Sequence, residues 1–348
     1  MPNSYFSHEV LNEKIKSVLD TKVAMSQFMH ADDSLVAEPG MKVKIHKYSA
    51  TDNITDVAEG YGNDDYSEVA YTEEEYEVVT TQGRTHWSDE AAMRNPLVVD
   101  TLLQNQAENM VNHLTAKAIG EMQKSDNIIE CDFTTSSANY FFNKVVDALA
   151  VIDGKTEDEA GFSMLISPNQ QAYIRKQLGD NLKYVEAFVR TGYIGNVCGI
   201  PVVMSKAVPD NCCFIVNSKA ITYFNKKGVE TETDRDKNLR DNVVYIRKVG
   251  LVALTDANYL VELAKAQSTA CAITTYTKAA KTIAGTCGTD CYKVVVVDGD
   301  GKEYVAVPSS GSWTVTADEN LTAGDKINAT AFAYGYSPKA ATEVTVAD

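Results

Sequence analysis

The side chains best suited to metal binding or nucleophilic catalysis are five histidines and seven cysteines, and their spacing matches no motif for either chemistry. The histidines are scattered at positions 8, 30, 46, 86 and 113, so no HExxH or HxH pair places two imidazoles on one metal. Cys287 and Cys291 have no second Cys or His pair spaced to complete a zinc tetrahedron. There is also no GxSxG elbow, GxGxxG turn or GxxxxGK phosphate loop. We therefore expect no enzyme activity, no cofactor and no metal site.

Two short motifs have both a chemical and a structural explanation, and we expect the structural one for each. The motif Asp298-Gly-Asp-Gly resembles the start of a calcium loop but lacks its terminal bidentate Glu, so it predicts a tight hairpin turn. Cys212 and Cys213 lie in an apolar run beside Phe214, without a cationic neighbour to lower a thiol pKa. An odd number of cysteines in a long chain argues against a disulfide framework, so we expect reduced, packed thiols.

The overall charge limits the classes of protein to which the chain can belong. It has 32 Lys+Arg against 48 Asp+Glu, a formal net charge of -16, with an apolar content typical of globular proteins. Such a surface repels phosphates, which argues against sequence-independent nucleic-acid binding. The N-terminal residues predict no secretory signal, and the longest aliphatic run, Val294–Val297, is far too short to span a membrane. We therefore expect a soluble protein made in the cytoplasm.

The elements before residue 267 follow a mixed α and β pattern. An amphipathic segment opens the chain, and the strands Met41–Tyr48 and Tyr71–Thr81 predict a long β-hairpin with an extended tip. Pro96 begins a helix that runs to about Gln123, because apolar residues recur there every three or four positions. At 1.5 Å per residue this helix is roughly 40 Å long, which exceeds most globular helices.

The middle of the chain predicts two further helices and a set of short strands. One helix spans about Ser137–Ile152, and a second begins after Ser167, where Pro168 and Gln170 complete a capping box. The predicted strands are Phe162–Ser167, Ile200–Met204, Phe214–Val216, Ala220–Phe224, Val243–Arg247 and Val252–Leu254.

A change in composition near residue 267 predicts a second domain. From Ser268 to Asp348 the chain has no Arg and one Leu, and short alternating runs between Gly-rich turns are typical of an antiparallel β domain. The predicted strands are Ala270–Thr277, Tyr292–Val297, Glu303–Val307, Ser312–Ala317, Lys326–Tyr334 and Thr342–Val346. With Ile283-Ala-Gly, Gly311-Ser-Trp-Thr-Val and Leu321-Thr-Ala-Gly, this stretch resembles a bacterial immunoglobulin-like domain. The resemblance implies display on a surface and no chemistry.

The order of the elements before residue 267 resembles the major capsid protein of tailed bacteriophages, with the HK-97-like fold. The segments that carry the resemblance are Gly40-Met-Lys-Val-Lys-Ile, Phe162-Ser-Met-Leu-Ile-Ser-Pro-Asn, Gly195-Asn-Val-Cys-Gly-Ile-Pro-Val-Val-Met-Ser, Val229-Glu-Thr-Glu-Thr-Asp-Arg-Asp and Val249-Gly-Leu-Val-Ala-Leu-Thr-Asp. It implies an α+β core over 1–267, made of an N-arm (1–40), an extended loop (41–90) and, over 91–267, a long spine helix with peripheral and axial subdomains. The immunoglobulin-like sandwich then occupies 268–348.

In function, the resemblance implies a structural protein without an active site. Identical chains would form the hexamers and pentamers of an icosahedral head that encloses double-stranded DNA without sequence-specific binding. The N-arm is too short for a scaffolding region, so a separate scaffolding protein is expected, with a portal and minor capsid proteins as further partners and no membrane. The expected location is the virion shell, assembled in the cytoplasm of the bacterial host.

An acidic block supplies the candidate interface residues. Between Lys47 and Arg84 there are ten acids and no Lys or Arg, which predicts either a solvated acidic loop or a hairpin lying against a basic partner. The resemblance implies that the extended loop lies over a neighbouring subunit, so we expect its acids to pair there with the most basic stretch of the chain. The candidates are Asp64, Asp65, Glu73, Glu74, Glu75, Glu77, Lys226, Lys227, Arg235, Lys237 and Arg240.

Two other interpretations remain open. An encapsulin-like compartment would share the fold but enclose an enzyme, and the immunoglobulin-like stretch argues against it. A surface adhesin or appendage subunit would explain that stretch, and the lack of a predicted signal or anchor argues against it.

Overall fold

The protein is described by a computed structural model in which most of the chain is placed. It describes residues 28–36, 40–50, 69–95, 97–135, 137, 139–155, 161–182, 195–267, 271–277, 281–299, 301–317, 321, 324–341 and 343–346. The predicted amphipathic segment of the N-arm, the tip of the hairpin with Asp64 and Asp65, and Pro96 lie outside these residues.

The elements follow one another along the chain as a mixture of strands and helices. The first are β1 (His30–Asp32), β2 (Lys42–Ala50), β3 (Val69–Glu77), β4 (Val79–Ser88), α1 (Asp89–Arg94) and α2 (Leu97–Met122). Next are β5 (Ile128–Glu130), α3 (Tyr140–Asp153), β6 (Phe162–Ile166), α4 (Pro168–Leu182), β7 (Asn196–Val197), β8 (Ile200–Met204) and β9 (Cys212–Asn217).

The remaining elements are all strands, apart from a short 3-10 turn. They are β10 (Ile221–Asp236), β11 (Asp241–Leu254), β12 (Leu260–Ala266), β13 (Ala272–Thr277), β14 (Thr282–Thr286), β15 (Cys291–Val297), β16 (Glu303–Ala306), β17 (Ser312–Thr316), β18 (Lys326–Ala333), β19 (Tyr336–Ser337), β20 (Lys339–Ala340) and β21 (Val344–Thr345). The chain divides into two compact units, Met1–Ala118 with Ser218–Asp256, and Ile119–Asn217 with Ala257–Asp348.

The first unit contains the sheet β1-β10-β11-β4 and the separate hairpin β2-β3. The strands β10 and β11 form a long antiparallel ladder, and β10 is irregular between Asn225 and Glu230, where the register shifts twice. The predicted short strands Val243–Arg247 and Val252–Leu254 are wrong in length, because they are parts of the single strand β11. The charged residues of β10 made its outer half resemble a loop, whereas backbone hydrogen bonds to β11 hold it extended.

The helix α2 confirms the long helix predicted over about 96–123. Its residues in the first unit bury Leu103, Ala107 and Met110 against Trp87 and Val244 of the sheet. This apolar stripe follows the three- and four-residue spacing of the sequence, so burial of one face holds the helix on the sheet. No described helix is both long and apolar enough to cross a bilayer.

The second unit is built on a mixed sheet in the order β19-β12-β9-β6-β8-β7, with β5 also paired to β12. Every residue of β6 and β9 is buried, and Cys212 and Cys213 are fully enclosed, which confirms their predicted role in core packing. The predicted capping box at the start of α4 is confirmed. The Gln170 backbone N–H donates to Ser167 Oγ at 3.2 Å, and the Ser167 N–H donates to Gln170 Oε1 at 2.9 Å.

The C-terminal part of this unit consists of two antiparallel sheets that share one apolar core. The sheets are β13-β14-β17 and β16-β15-β18-β20, with β21 also paired to β18, and Ile283, Val294, Trp313 and Ile327 lie in the core between them. The predicted hairpin turn at Asp298 is confirmed: the Lys302 N–H donates to Asp298 Oδ1 at 2.9 Å and the Tyr304 hydroxyl donates to Oδ2 at 3.0 Å.

The strand β14 was missed by the sequence prediction because its Gly285 is typical of a turn. In the structure this glycine lies beside Trp313, where a Cβ would overlap the indole ring and the carbonyl oxygen of Ala272. The absence of a side chain therefore lets the tryptophan pack directly on the backbone of β14.

The two C-terminal sheets are joined to the mixed sheet by backbone pairing. The strand β19 runs parallel to the end of β12, with Lys265 opposite Tyr336 and Ala266 opposite Ser337. The Gln267 side chain donates to the carbonyls of Ala331 at 3.0 Å and Ser337 at 3.1 Å. Residues 268–348 thus complete the edge of a sheet that begins much earlier in the chain.

Candidate assembly interface

The base of the acidic hairpin carries its charges on one face and apolar side chains on the other. The period of two along β2 and β3 places Lys42 and Lys44 on the same face as Glu73 and Glu75. Lys44 Nζ lies 2.9 Å from Glu73 Oε2, and Lys42 is paired with Glu75. This hydrogen bond lowers the pKa of Glu75 and raises the pKa of Lys42.

These lysines are partners that the sequence analysis missed. The acidic block was counted from Lys47 onward, so the cations at the start of β2 were left out. The alternation of Lys42 and Lys44 with Val43 and Ile45 was the signal that could have found them. Because all four charged groups are exposed, the ion pairs orient the strands and add little to stability.

The opposite face of the hairpin base packs on β11, within the first unit. Val43, Ile45 and Tyr76 contact a cluster that includes Val249 and Leu251 of β11. Glu74 shares this face by register and is half-buried, whereas Glu77 on the charged face is exposed. The hairpin base is therefore held by apolar contacts, and its acidic face is left toward solvent.

The basic candidates have different surroundings from one another. Lys226 Nζ donates to the Leu35 carbonyl at 2.8 Å, and Lys227 lies 2.6 Å from Glu230. Hydrogen bonds from Lys227 and then Arg247 lower the pKa of Glu230. Lys226 and Lys227 therefore already have hydrogen-bond or salt-bridge partners within the same subunit.

The other three basic candidates, Arg235, Lys237 and Arg240, lie at the end of the β10–β11 hairpin. Arg235 Nη2 lies 2.6 Å from Asp89 Oδ2, and a hydrogen bond from Asn242, followed by that from Arg235, lowers the pKa of Asp89. Lys237 and Arg240 are exposed, and neither is in a salt bridge with another described residue. They are exposed basic candidates at the tip, and the charge of Arg240 also helps to lower the pKa of Asp89.

The cysteines among the described residues are held in the protonated form by their surroundings. All seven cysteines are free thiols, and burial raises the pKa of Cys131 to about 12 and that of Cys213 well above its usual value. Protonated, enclosed thiols are poor nucleophiles. Within the described ranges, no three His, Cys, Asp or Glu side chains are grouped so that they could hold a metal ion.

Glu262 on β12 is the one fully enclosed carboxyl group among the described residues. Burial raises its pKa to about 8, and a weak hydrogen bond from the neighbouring Cys212 thiol opposes the shift. The group is therefore mostly neutral at pH 7. In the register of the sheet Glu262 lies opposite Phe214 of β9. No pocket among those found in the described residues is lined by it, so we assign it a role in the structure of the sheet.

Comparison with known families decides the class of the protein. A model described as phage capsid protein matches residues 72–263, which is more than half of the chain. The chain belongs to the phage capsid protein family. Members of this family are structural. The match covers the long helix, most of β3 and most strands of the two main sheets, and leaves out β1 and β19. The C-terminal two-sheet part lies beyond it. No curated protein matches the chain.

Solved structures share the fold of this family member at low sequence identity. The capsid of the cyanophage P-SCSP1u has a TM-score of 0.55 and 11% identity, covering 69% of this chain and 87% of that one. The capsid of the native GTA particle has a TM-score of 0.54 and 11% identity, covering 70% and 90%. A virus-like particle from Pyrococcus furiosus has a TM-score of 0.50 and 12% identity, covering 74% and 98%.

Proposed function

We propose that this chain is the major capsid protein of a tailed bacteriophage and forms the hexamers and pentamers of an icosahedral head. The observation that carries the proposal is the family match over residues 72–263, together with the capsid fold of that region. The hairpin base, the long helix and the sheet of the first unit supply the elements that such subunits present to one another. The shell would be assembled in the host cytoplasm with a separate scaffolding protein and a portal.

Electron microscopy of the purified protein, with light scattering on the same sample, tests self-assembly directly. We expect closed shells, or rings and tubes built from hexamers. Subunit contacts that close with the right curvature give shells, and contacts that do not close give open assemblies such as tubes. A protein that stays monomeric at 38.0 kDa even with its scaffolding protein supplied would contradict the proposal.

The enclosed material distinguishes a phage head from other shells. A net charge of -16 suits a container in which DNA is packed without adhering, since like charges repel. We expect particles isolated from infected cells to protect long double-stranded DNA from nuclease, without a preferred sequence at the shell. Particles that are empty of DNA at every stage of infection would contradict this role.

We propose that subunits meet through the acidic hairpin and the basic β10–β11 tip. The support is the exposed position of Glu77 on one element and of Lys237 and Arg240 on the other. Such charges steer encounter between subunits, while apolar contacts hold the shell. Glu73 and Glu75 would contribute less, since Lys44 and Lys42 lie closer to them within the hairpin than Lys42 lies to Glu77, at 3.8 Å.

Charge reversal at the tip tests this pairing. The Lys237→Glu variant should assemble several-fold more slowly at low salt, and the defect should shrink at high salt because screening removes the repulsion. Lys339→Glu, on β20 of the C-terminal part, is a control with the same change in net charge. Equal assembly rates for both variants would contradict the pairing.

For residues 268–348 we propose an immunoglobulin-like decoration domain. Two antiparallel sheets around one apolar core support this assignment. Antibodies raised against this stretch should decorate the outside of intact particles, and antibodies that bind disrupted particles alone would contradict it.

A protein compartment is the second candidate, because the fold is shared with the virus-like particle from Pyrococcus furiosus. Mass spectrometry of purified particles separates the two proposals. A single enzyme enclosed at constant stoichiometry would favour the compartment, whereas packaged DNA favours the phage head.

A further inference from the structure

The strand β16 lies at the edge of a sheet in the C-terminal part of the chain. Among the described strands it pairs with β15 alone, at the end of the order β16-β15-β18-β20. Its exposed side chains are apolar: Val305 is 63% exposed, and Val307, just after the strand, is 81% exposed. Such an edge pairs readily with another chain unless charges or prolines protect it, and here Glu303 and Pro308 stand at its two ends.

The register of β16 on β15 determines which of its backbone groups point outward. At the hairpin turn the Asp298 N–H donates to the Lys302 carbonyl at 3.1 Å, and the ladder continues from there without a register shift. In an antiparallel pair, hydrogen-bonded positions alternate with positions whose N–H and C=O groups point away from the partner. Counting in twos from Lys302, the even-numbered residues bond to β15. The backbone groups of Glu303, Val305 and Val307 therefore point toward the edge.

The outer face of the same sheet is rich in valine beside this edge. Val294 and Val296 of β15 lie in the core between the two C-terminal sheets. Val295 and Val297 alternate with them and thus lie on the outer face, where Val295 is directly opposite Val305 of β16. A strand added to the edge would extend both the backbone ladder and this apolar face.

The pattern of the edge suits a second copy of itself. In an antiparallel pair centred on Val305, this valine lies opposite Val305 of the second copy, and Glu303 lies opposite Val307. This register pairs all three outward-pointing residues and forms about six backbone hydrogen bonds. It also keeps the two Glu303 carboxylates four residues apart, roughly 13 Å along the strand, whereas a parallel pair would set them side by side, where like charges repel.

We propose that β16 pairs antiparallel with β16 of a second copy of this chain, across a two-fold axis at Val305. The two sheets then form one continuous sheet. This inference rests on the proposed shell function, because a strand pair of five residues buries less than the roughly 1,200 Å² of a stable interface. Subunits held in a shell supply the effective concentration that the pair needs. The contact lies beyond the family match over residues 72–263.

Disulfide trapping in assembled particles tests the pairing. The Val305→Cys variant is assembled and treated with oxidised glutathione. Two protein thiols form one S–S bond, and glutathione disulfide takes up their two electrons and two protons to become two thiols. We expect most chains as dimers on a non-reducing gel, since the paired Cα atoms lie about 5.5 Å apart.

Thr314→Cys, at an exposed position of β17 in the other sheet, is the matched control and should stay monomeric, as should the wild type. Normal shells in which Val305→Cys gives no more dimer than this control would overturn the inference and leave the shell function standing. If the chain forms no shells even with its scaffolding protein, both fail, because no second copy is then held beside the edge.

A mixed assembly tests the direction of the strands. Glu303→Cys and Val307→Cys should each fail to cross-link alone, because like positions lie roughly 13 Å apart across the axis. Particles assembled from equal amounts of the two variants should give mixed dimers. Equal dimer yields from each variant alone, or no dimer from the mixture, would overturn the two-fold arrangement.

A charge on the edge gives a further test without cross-linking. Val305→Lys places two lysines opposite each other and should block the pairing. Its particles should dissociate several-fold faster in guanidinium chloride than particles of Thr314→Lys, which adds the same charge to the other sheet. Melting temperatures of the free subunits establish that both variants fold. Equal dissociation rates for the two variants would overturn the inference.

Discussion

Glu262 is a fully buried carboxyl group on β12 of the mixed sheet. Because burial raises its pKa to about 8, the folded protein keeps it neutral while the unfolded chain ionises near pH 4.3. The unfolded state therefore binds fewer protons between these values, and stability falls as pH rises from about 4.5 to 8. Above that window both states are ionised and the contribution is constant.

Replacing this residue by its neutral isostere should remove that pH dependence. We expect Glu262→Gln to unfold at a higher temperature than the wild type at pH 8 and at nearly the same temperature at pH 4.5. The difference at pH 7 corresponds to roughly 3 kcal/mol, from the size of the shift. Thermal unfolding by circular dichroism at several pH values measures it, and parallel curves for the two proteins would contradict the assignment.

Gly285 is the second residue whose identity the surroundings determine. A methyl group there would overlap Trp313 and the backbone of β13, so we expect Gly285→Ala to destabilise the protein by several kcal/mol. Gly120→Ala is the control, because a Cβ at that helical position meets nothing within 4 Å and alanine favours helix. Chemical denaturation compares the two. Equal midpoints would show that Trp313 can move aside at little cost.

At the scale of elements, local sequence predicted more than long-range pairing did. The helix α2 and the capping box of α4 follow from apolar spacing and from three adjacent residues, so they could be predicted. The length of β10 could not, since its exposed charged residues are held extended by a partner strand. The ion pairs of Lys42 and Lys44 could be found only from the register of the hairpin.

The capping box gives a prediction at this scale. Ser167→Ala removes the acceptor for the Gln170 N–H and the donor to Asp210, whose carboxylate accepts from Ser167 Oγ at 2.6 Å. We expect a loss of about 1 kcal/mol, as for other N-cap residues. Urea unfolding of the variant checks it, with Ser312→Ala at an exposed position of β17 as the control. A Ser167→Ala midpoint unchanged from wild type would contradict the cap.

The C-terminal part contributes to the fold of the earlier mixed sheet. A separate domain beginning near residue 267 would not be expected to do so. The strand β19 covers the end of β12, and Gln267 bridges the two carbonyls of Ala331 and Ser337. Removing everything after Gln267 would expose that edge and leave Gln267 unpaired. The boundary near residue 267 was predicted from a local change in composition, whereas the return of β19 to the earlier sheet has no local signal.

We therefore expect a chain truncated after Gln267 to be insoluble or to assemble poorly. Its soluble yield and sedimentation should be compared with those of a full-length chain that carries Lys339→Glu, which changes the same region without removing strands. A truncated chain that is monodisperse and forms normal particles would show that residues 268–348 are dispensable for folding.

The pairing of β12 with β19 also sets an order of events during protein synthesis. Tyr336 leaves the ribosome long after Lys265, so the end of β12 stays open while the intervening strands are still being made. During that interval a nascent chain offers an unpaired strand edge to its neighbours on the same messenger RNA. Slower translation of the C-terminal codons should thus increase aggregation of this protein in the host, even though the finished subunit is unchanged.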